Sequence, residues 1–252
     1  MLKTFFLFIM LIGTHPAFSQ DAELVLPYGH QKKITKVIIS SDERTLLTAS
    51  EDHSISAWVL QTGQEIRKFK WHTRAVNDIA LSSNNRYLVS VSGDGKALLW
   101  NALTGKILKV VPHGYDPVRL VKFAPRTNFF VTTHFLEHRN ESVLRFFNIP
   151  SCEMVKEFTF ADEHILDFVI SEKMASVIVL TNKGILYRID GNTFERISSK
   201  LGAEGSMGKI SDNAASIAIS NKNGITLFSN EPTTTTLRSQ IQTTNVSSLA
   251  FS

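Results

Sequence analysis

The stretch WHTRAVNDIALSSNNRYLVSVSGDGKALLWNALTG, residues 71–105, decides the fold of this chain. It contains three short segments whose alternating or continuous apolar character is typical of β-strands. These segments are 76–82, 87–92 and 97–102. Asn84-Asn85 and Gly93-Asp94-Gly95 separate them and favour tight turns. The stretch therefore predicts three antiparallel strands joined by hairpins.

The segment from Gly29 to Gly63 repeats this layout. Its apolar segments ITKVIIS, TLLTAS and ISAWVL occupy the same three slots, and Trp58 precedes Trp100 by 42 residues. A repeat of about 40–45 residues built from four strands is typical of a propeller blade. The sequence thus predicts an all-β fold, a β-propeller of four-stranded antiparallel blades.

Similar segments continue along the chain and predict about five blades. The blades lie near residues 34–70, 76–111, 117–160, 165–198 and 206–239. In the third blade, the segment FLEHRNES (135–142) is expected to lengthen the hairpin between the second and third strands.

Both ends of the repeat region carry strand-like segments without partners. VSSLAFS (246–252) resembles the first strands of the earlier blades and is expected to begin a sixth blade, whereas ELVLPYGH (23–30) is typical of an outermost strand. Unpaired sheet edges are unfavourable, because they expose a row of free amides and carbonyls. We therefore expect a propeller over residues 20–252 that is incomplete and belongs to the N-terminal part of a longer chain.

Residues 1–19 differ in composition from the rest of the chain. Lys3 precedes an apolar run of eight residues, FFLFIMLI, and Ala17-Phe18-Ser19 offers small residues at the positions that signal peptidases require. A membrane-spanning helix needs about 20 apolar residues, so this run is too short to span a bilayer. It predicts a signal peptide cleaved near Ser19, export to the periplasm or the extracellular space, and no membrane span in the mature chain.

The overall composition is that of an ordinary globular protein. Of its 252 residues, 43% are hydrophobic and 20% charged, and the formal net charge is only +4. Lys and Arg are scattered along the chain, without the clustered stripe that nucleic-acid binding requires, so no nucleic-acid partner is expected. Cys152 is the only cysteine, which excludes an intramolecular disulfide and leaves stability to the apolar core.

The first two blades resemble the WD-repeat family. Gly29-His30 is followed by Trp58, and Trp71-His72 by Trp100, at matching offsets, and the resemblance is clear over residues 23–160 and weak beyond them. In that family a His, a Ser or Thr, an Asp and a Trp form a hydrogen-bonded chain within a blade. The resemblance implies two structural sets: His30, Ser50, Asp52, Trp58 and His72, Ser92, Asp94, Trp100.

A His–Ser–Asp combination also occurs in hydrolases, but here it recurs in two successive repeats. Such recurrence favours a structural motif, and neither serine lies in a G-x-S-x-G sequence. His134 and His138 have the spacing of half a zinc site on a helix, but a strand followed by a loop is predicted there. We therefore predict no catalytic residue, no metal site and no cofactor.

Aromatic and arginine side chains on exposed loops are typical anchors of protein interfaces. Trp71, Tyr115 and Arg139 are predicted on loops between strands and form a candidate partner-binding face. The family resemblance implies a non-catalytic scaffold for protein–protein interaction, with partners of unknown identity.

Two alternatives remain open. The propeller could regulate a larger enzyme, such as a caspase-like peptidase, whose catalytic domain lies beyond residue 252. It could also hold an active site in its central channel, like a lactonase or glycosidase, although Asp78 and Asp167 are the only acidic residues in the first strands of blades one to four.

Overall fold

The computed structural model describes residues 29–124, 129–171, 176–230, 235–242, 246 and 249. The predicted signal peptide at 1–19, the expected strand before Gly29 and nearly all of the strand expected over 246–252 lie outside this part of the chain. Within the described ranges the regular structure consists of strands. No helix in these ranges has the length and apolar character needed to cross a membrane.

The strands form five four-stranded antiparallel sheets, and each sheet follows the order of the sequence. The first sheet contains β1 (Ile34–Ile39), β2 (Thr45–Ser50), β3 (Ser54–Val59) and β4 (Glu65–Lys70). The second contains β5 (Val76–Leu81), β6 (Tyr87–Ser92), β7 (Lys96–Asn101) and β8 (Ile107–Pro112). The third contains β9 (Val118–Phe123), β10 (Phe129–Leu136), β11 (Glu141–Asn148) and β12 (Met154–Ala161).

The last two sheets have the same layout. The fourth contains β13 (Ile165–Ser171), β14 (Ser176–Thr181), β15 (Ile185–Asp190) and β16 (Arg196–Lys200). The fifth contains β17 (Met207–Ile210), β18 (Ser216–Asn221), β19 (Gly224–Asn230) and β20 (Thr235–Ile241). The predicted all-β class and the five four-stranded blades are confirmed.

The blades pack face to face, and the apolar core lies between them. Ile55 and Phe69 of the first blade meet Leu88 and Trp100 of the second, and comparable clusters fill the next three junctions. The first strands β1, β5, β9, β13 and β17 neighbour one another in this order. They therefore line the inner side of the assembly, whereas a last strand such as β16 is exposed along its whole length.

Two turns pack so closely that one of them needs a glycine, Gly95, which the sequence placed in a hairpin. Gly95 has φ of +75°, a region that favours glycine, and a Cβ at this position would collide with the backbone carbonyl of Gly114. The β6–β7 turn thus lies directly on the loop that leads into the third blade.

Polar groups also join neighbouring first strands. The Asp78 carboxylate accepts a hydrogen bond from the Val121 N–H of the next blade at 3.0 Å, and Asp167 accepts one from the Ile210 N–H at 3.1 Å. Lys36 lies 3.6 Å from Asp78, and burial raises the pKa of the Asp78 carboxyl above its usual range. The two acidic residues of the first strands are therefore engaged in contacts between blades.

The segment 135–142 lengthens the hairpin between the second and third strands, as expected, but it does so through longer strands and not through a longer loop. The strand β10 continues to Leu136 and β11 begins at Glu141, so that a four-residue turn joins them. Phe135 is buried, and its ring stacks on that of His164 with 3.9 Å between centroids. This contact with the following blade extends the hairpin, and the local sequence contains no sign of it.

Candidate functional site

A hydrogen-bonded chain of side chains crosses the first blade. The Trp58 indole N–H donates to Thr48 Oγ1 at 2.8 Å, and Thr48 Oγ1 lies 2.8 Å from His30 Nε2. His30 Nδ1 lies 3.0 Å from Asp52 Oδ2. Because a carboxylate can only accept, the imidazole Nδ1–H donates to Asp52. Nε2 of the neutral ring then accepts the proton of the threonine hydroxyl, which itself accepts the indole N–H.

The second blade repeats this chain at the same spacing. The Trp100 indole N–H donates to Ser90 Oγ at 2.9 Å, which in turn lies 2.8 Å from His72 Nε2. His72 Nδ1 lies 2.9 Å from Asp94 Oδ2. The side chains of His72, Ser90 and Trp100 are all buried.

The hydroxyl groups of these chains are those of Thr48 and Ser90, and not those of the predicted Ser50 and Ser92. Ser50 and Ser92 lie at the ends of their strands, where each accepts a bond from the aspartate N–H two residues later. Ser92 donates to the carbonyl of Arg74 in the preceding loop. Thr48 and Ser90 precede them by two residues and lie within reach of the indole, so the prediction was wrong in this member of each set.

The aspartates connect two loops at the same end of each blade. Asp52 Oδ2 also accepts a bond from the Gln31 N–H at 3.0 Å, while Oδ1 accepts one from the Ser54 hydroxyl. Burial opposes ionisation of Asp52, but the hydrogen bonds from Ser54, Gln31 and His30 outweigh it and hold its pKa well below the usual range. The carboxylate therefore ties the loop before β1 to the turn between β2 and β3.

The third blade keeps only part of the chain. Thr132 Oγ1 lies 2.8 Å from His113 Nε2, and Phe147 packs near the imidazole in the place of the tryptophan. With no aspartate partner, His113 Nδ1 donates to the carbonyl of Val111 at 3.1 Å. Thr48, Ser90 and Thr132 are spaced by 42 residues, and this regularity is the sequence signal that would have identified all three.

Ser90→Ala and Ser92→Ala distinguish the two hydroxyl groups of the second blade. We expect Ser90→Ala to lower the free energy of unfolding by about 1–3 kcal/mol, because it leaves the Trp100 N–H and His72 Nε2 without a partner. It should also shift the Trp100 indole proton in an NMR spectrum. Ser92→Ala should leave that proton unshifted, and a large shift with this control would contradict the assignment.

The three residues of the candidate partner-binding face lie on loops at one end of the propeller. Trp71 is 40% exposed, with the Lys96 ammonium 5.1 Å from the centre of its ring, and Tyr115 is 99% exposed. The exposed Arg139 follows His138, whose Nδ1 lies 4.0 Å from Asp116 Oδ2 in the loop of Tyr115. Trp71 lies in the loop that leads into the second blade and Tyr115 in the loop that leads into the third. Arg139 lies in the β10–β11 turn of the third blade.

The pair His134 and His138 does not share a site. His134 is buried near the end of β10, whereas His138 lies in the turn that follows and its side chain is 62% exposed. In the described part of the chain no three His, Cys, Asp or Glu side chains are grouped in a way that could hold a metal ion.

Together, the meandering four-stranded sheets, their inner first strands and the repeated His–hydroxyl–Trp chain define a β-propeller. Residues 22–58 and 63–101 match the family model of the WD domain, G-beta repeat. The first two blades therefore match the WD repeat, and the five sheets have the fold of a WD-repeat β-propeller.

Solved structures show the same fold. The β-propeller domain of Cps50 (Swd1) from Myceliophteria thermophila superposes with a TM-score of 0.70 at 19% identity, over 85% of this chain and 73% of that one. The structure of U3-55K superposes with a TM-score of 0.67 at 17% identity, over 80% of this chain and 62% of that one. This chain thus spans less than two thirds of U3-55K. No match was found among curated proteins.

Proposed function

We propose that this protein is an exported, non-catalytic scaffold that binds other proteins through the loops at one end of its propeller. The observation that carries this proposal is the exposure of Trp71 and Tyr115 on successive loops at that end. Large aromatic side chains contribute much of the affinity of protein interfaces, and the neighbouring Arg139 adds a further residue type enriched there.

The state of the nucleophilic groups supports a non-catalytic role. Thr48 and Ser90 are buried, and each oxygen already accepts an indole N–H, so neither hydroxyl can reach a substrate. Burial raises the pKa of the Cys152 thiol to about 11, which keeps it protonated and poorly nucleophilic near neutral pH.

A triple variant, Trp71→Ala with Tyr115→Ala and Arg139→Ala, tests the binding face. We expect it to reduce recovery of bound proteins in a pull-down by about tenfold or more, since anchors of this kind each contribute 2 kcal/mol or more at a typical interface. The matched control replaces Leu60, Leu103 and Lys106, which lie in turns at the other end of the strands. Unchanged recovery with the first variant would reject this face.

Export is tested by the N-terminus of the mature protein. The composition of residues 1–19 supports cleavage near Ser19, so N-terminal sequencing of the protein from the periplasm or medium should begin at Gln20 or Asp21. A Lys3→Glu variant, which removes the positive charge of the leader, should export less protein. An intact Met1 on protein that stays in the cytoplasm would contradict the proposal.

A further inference from the structure

A cavity of about 720 Å³ opens at the end of the propeller that also carries Trp71. It lies where the third, fourth and fifth blades meet. Its walls come from strand ends, from the loops between blades and from hairpin turns within the fourth and fifth blades. Its volume falls within the range of about 300–1,000 Å³ that is typical of ligand sites. It can therefore hold a side chain together with the adjoining peptide backbone.

His134 at the wall of this cavity breaks the pattern of the other blades. It pairs with the start of the first strand of its blade, and the same position holds Ser50, Ser92, Thr181 and Ser220 in the others. His134 is 1% exposed, yet within the described part of the chain neither of its ring nitrogens has a hydrogen-bond partner. Burial lowers its pKa to about 4, so the neutral ring presents one N–H donor and one acceptor.

Arg119 on the same cavity also departs from its counterparts. Thr35 and Asn77 hold the corresponding position, one residue into the first strand, where the register shifts. Each closes the junction with the next blade by donating to a backbone carbonyl: Thr35 to Val76 at 2.6 Å and Asn77 to Val118 at 2.7 Å. In the third blade this position carries an exposed guanidinium group that lines the cavity.

Two further side chains of the wall, Ser142 and Asn182, can offer donors to the cavity. Ser142 Oγ accepts the Ile165 N–H at 3.0 Å, so its own proton can be donated. Asn182 Oδ1 accepts the His164 N–H at 2.9 Å, which directs its amide oxygen into the wall. The rim adds Lys222, and its positive charge and that of Arg119 exceed the single negative charge of Glu204. A ligand with negatively charged acceptor atoms complements this arrangement.

We propose that this cavity binds an acidic side chain of a protein partner, with its carboxylate accepting hydrogen bonds from Arg119, His134 and Ser142. The stacked rings of Phe135 and His164 provide a flat apolar wall for the partner residue that follows the acidic one. The inference rests on the proposed scaffold function and assigns the chemistry of one partner contact.

The test follows the ring nitrogens of His134 by NMR in the full chain labelled with ¹⁵N-histidine. The probe is the capped peptide Gly-Ser-Glu-Phe-Ser-Gly, and its control carries Gln in place of Glu. We expect a saturable shift of the His134 signals with the Glu peptide and a dissociation constant about tenfold higher for Arg119→Gln, as the loss of a charge-assisted hydrogen bond implies. His134→Ser, which restores the residue type of the other blades, assigns the signals.

Lys109→Gln is the matched control, because it also removes an exposed positive charge, here from the outer strand β8. It should leave the affinity unchanged. Equal shifts with the Gln peptide, no shift at all, or the same affinity for Arg119→Gln would overturn the proposal. Equal affinity for sodium succinate would overturn the peptide assignment in favour of a small carboxylate.

Pull-down experiments distinguish a failure of the cavity proposal from a failure of the proposed scaffold function. If Arg119→Gln and His134→Ser capture the same proteins as the wild type, the cavity is rejected while the scaffold function stands. If the wild-type chain captures no protein, the proposed function itself is rejected.

Discussion

Trp100→Ala is expected to lower the free energy of unfolding by about 3–5 kcal/mol, the usual cost of removing a fully buried tryptophan. Its ring packs edge to face against Phe69 of the preceding blade, with 5.4 Å between centroids, and its N–H bonds to Ser90. The substitution therefore opens a void between two blades and removes one of the hydrogen bonds of the buried Ser90 hydroxyl. Urea unfolding followed by circular dichroism measures the change.

Trp71→Ala is the matched control for this prediction. Trp71 is partly exposed and contacts Lys96 through its ring face, an interaction worth about 0.5–1 kcal/mol at an exposed site. Its removal should cost less than about 1 kcal/mol. Equal losses for the two tryptophans would show that Trp100 does not fill the junction between the blades.

Acidification is expected to destabilise the fold through His113. Burial lowers the pKa of His113 to about 3, from the ordinary value of 6.5. As the pH falls, His113 therefore takes up a proton in the unfolded chain before it does so in the folded chain. The contribution of His113 to the free energy of unfolding is complete above pH 6.5 and is lost as the pH decreases toward 3. Each pKa unit corresponds to about 1.4 kcal/mol, and the loss reaches about 4–5 kcal/mol when the folded state also titrates.

The free energy of unfolding of the wild type and of His113→Gln, measured across this pH range, checks the prediction. The glutamine variant lacks the titrating group, so its stability should fall less steeply, and the difference between the two proteins should narrow toward low pH. His138→Gln removes an exposed histidine and should parallel the wild type. Parallel curves for His113→Gln and the wild type would contradict the assigned cause.

The sequence predicted the blades well where burial alternates and turns carry strong signals. In the second blade, for example, the predicted strand 87–92 coincides with β6. The fourth blade was expected to end near residue 198, but its last strand spans Arg196–Lys200. All five of its residues are exposed, so neither burial nor alternation fixes its position.

The side-chain contacts of the site were less predictable, because they depend on the register and on neighbouring blades. Ser50 and Ser92 share the 42-residue spacing of Thr48 and Ser90, so the first two blades do not choose between them. Only the third blade does, because Thr132 continues one series and His134 interrupts the other. The buried, unpartnered state of His134 becomes visible only when its strand is paired with β9.

Hydrogen exchange of the three indole N–H groups tests the repeated hydrogen-bonded chains most directly. The chain has three tryptophans, and the structure places Trp58 and Trp100 in hydrogen-bonded chains within blades and Trp71 on an exposed loop. We expect two slowly exchanging indole signals, assigned to Trp58 and Trp100 by substitution, and one fast signal from Trp71. Fast exchange of all three would contradict the repeated hydrogen-bonded chains on which this description of the protein depends.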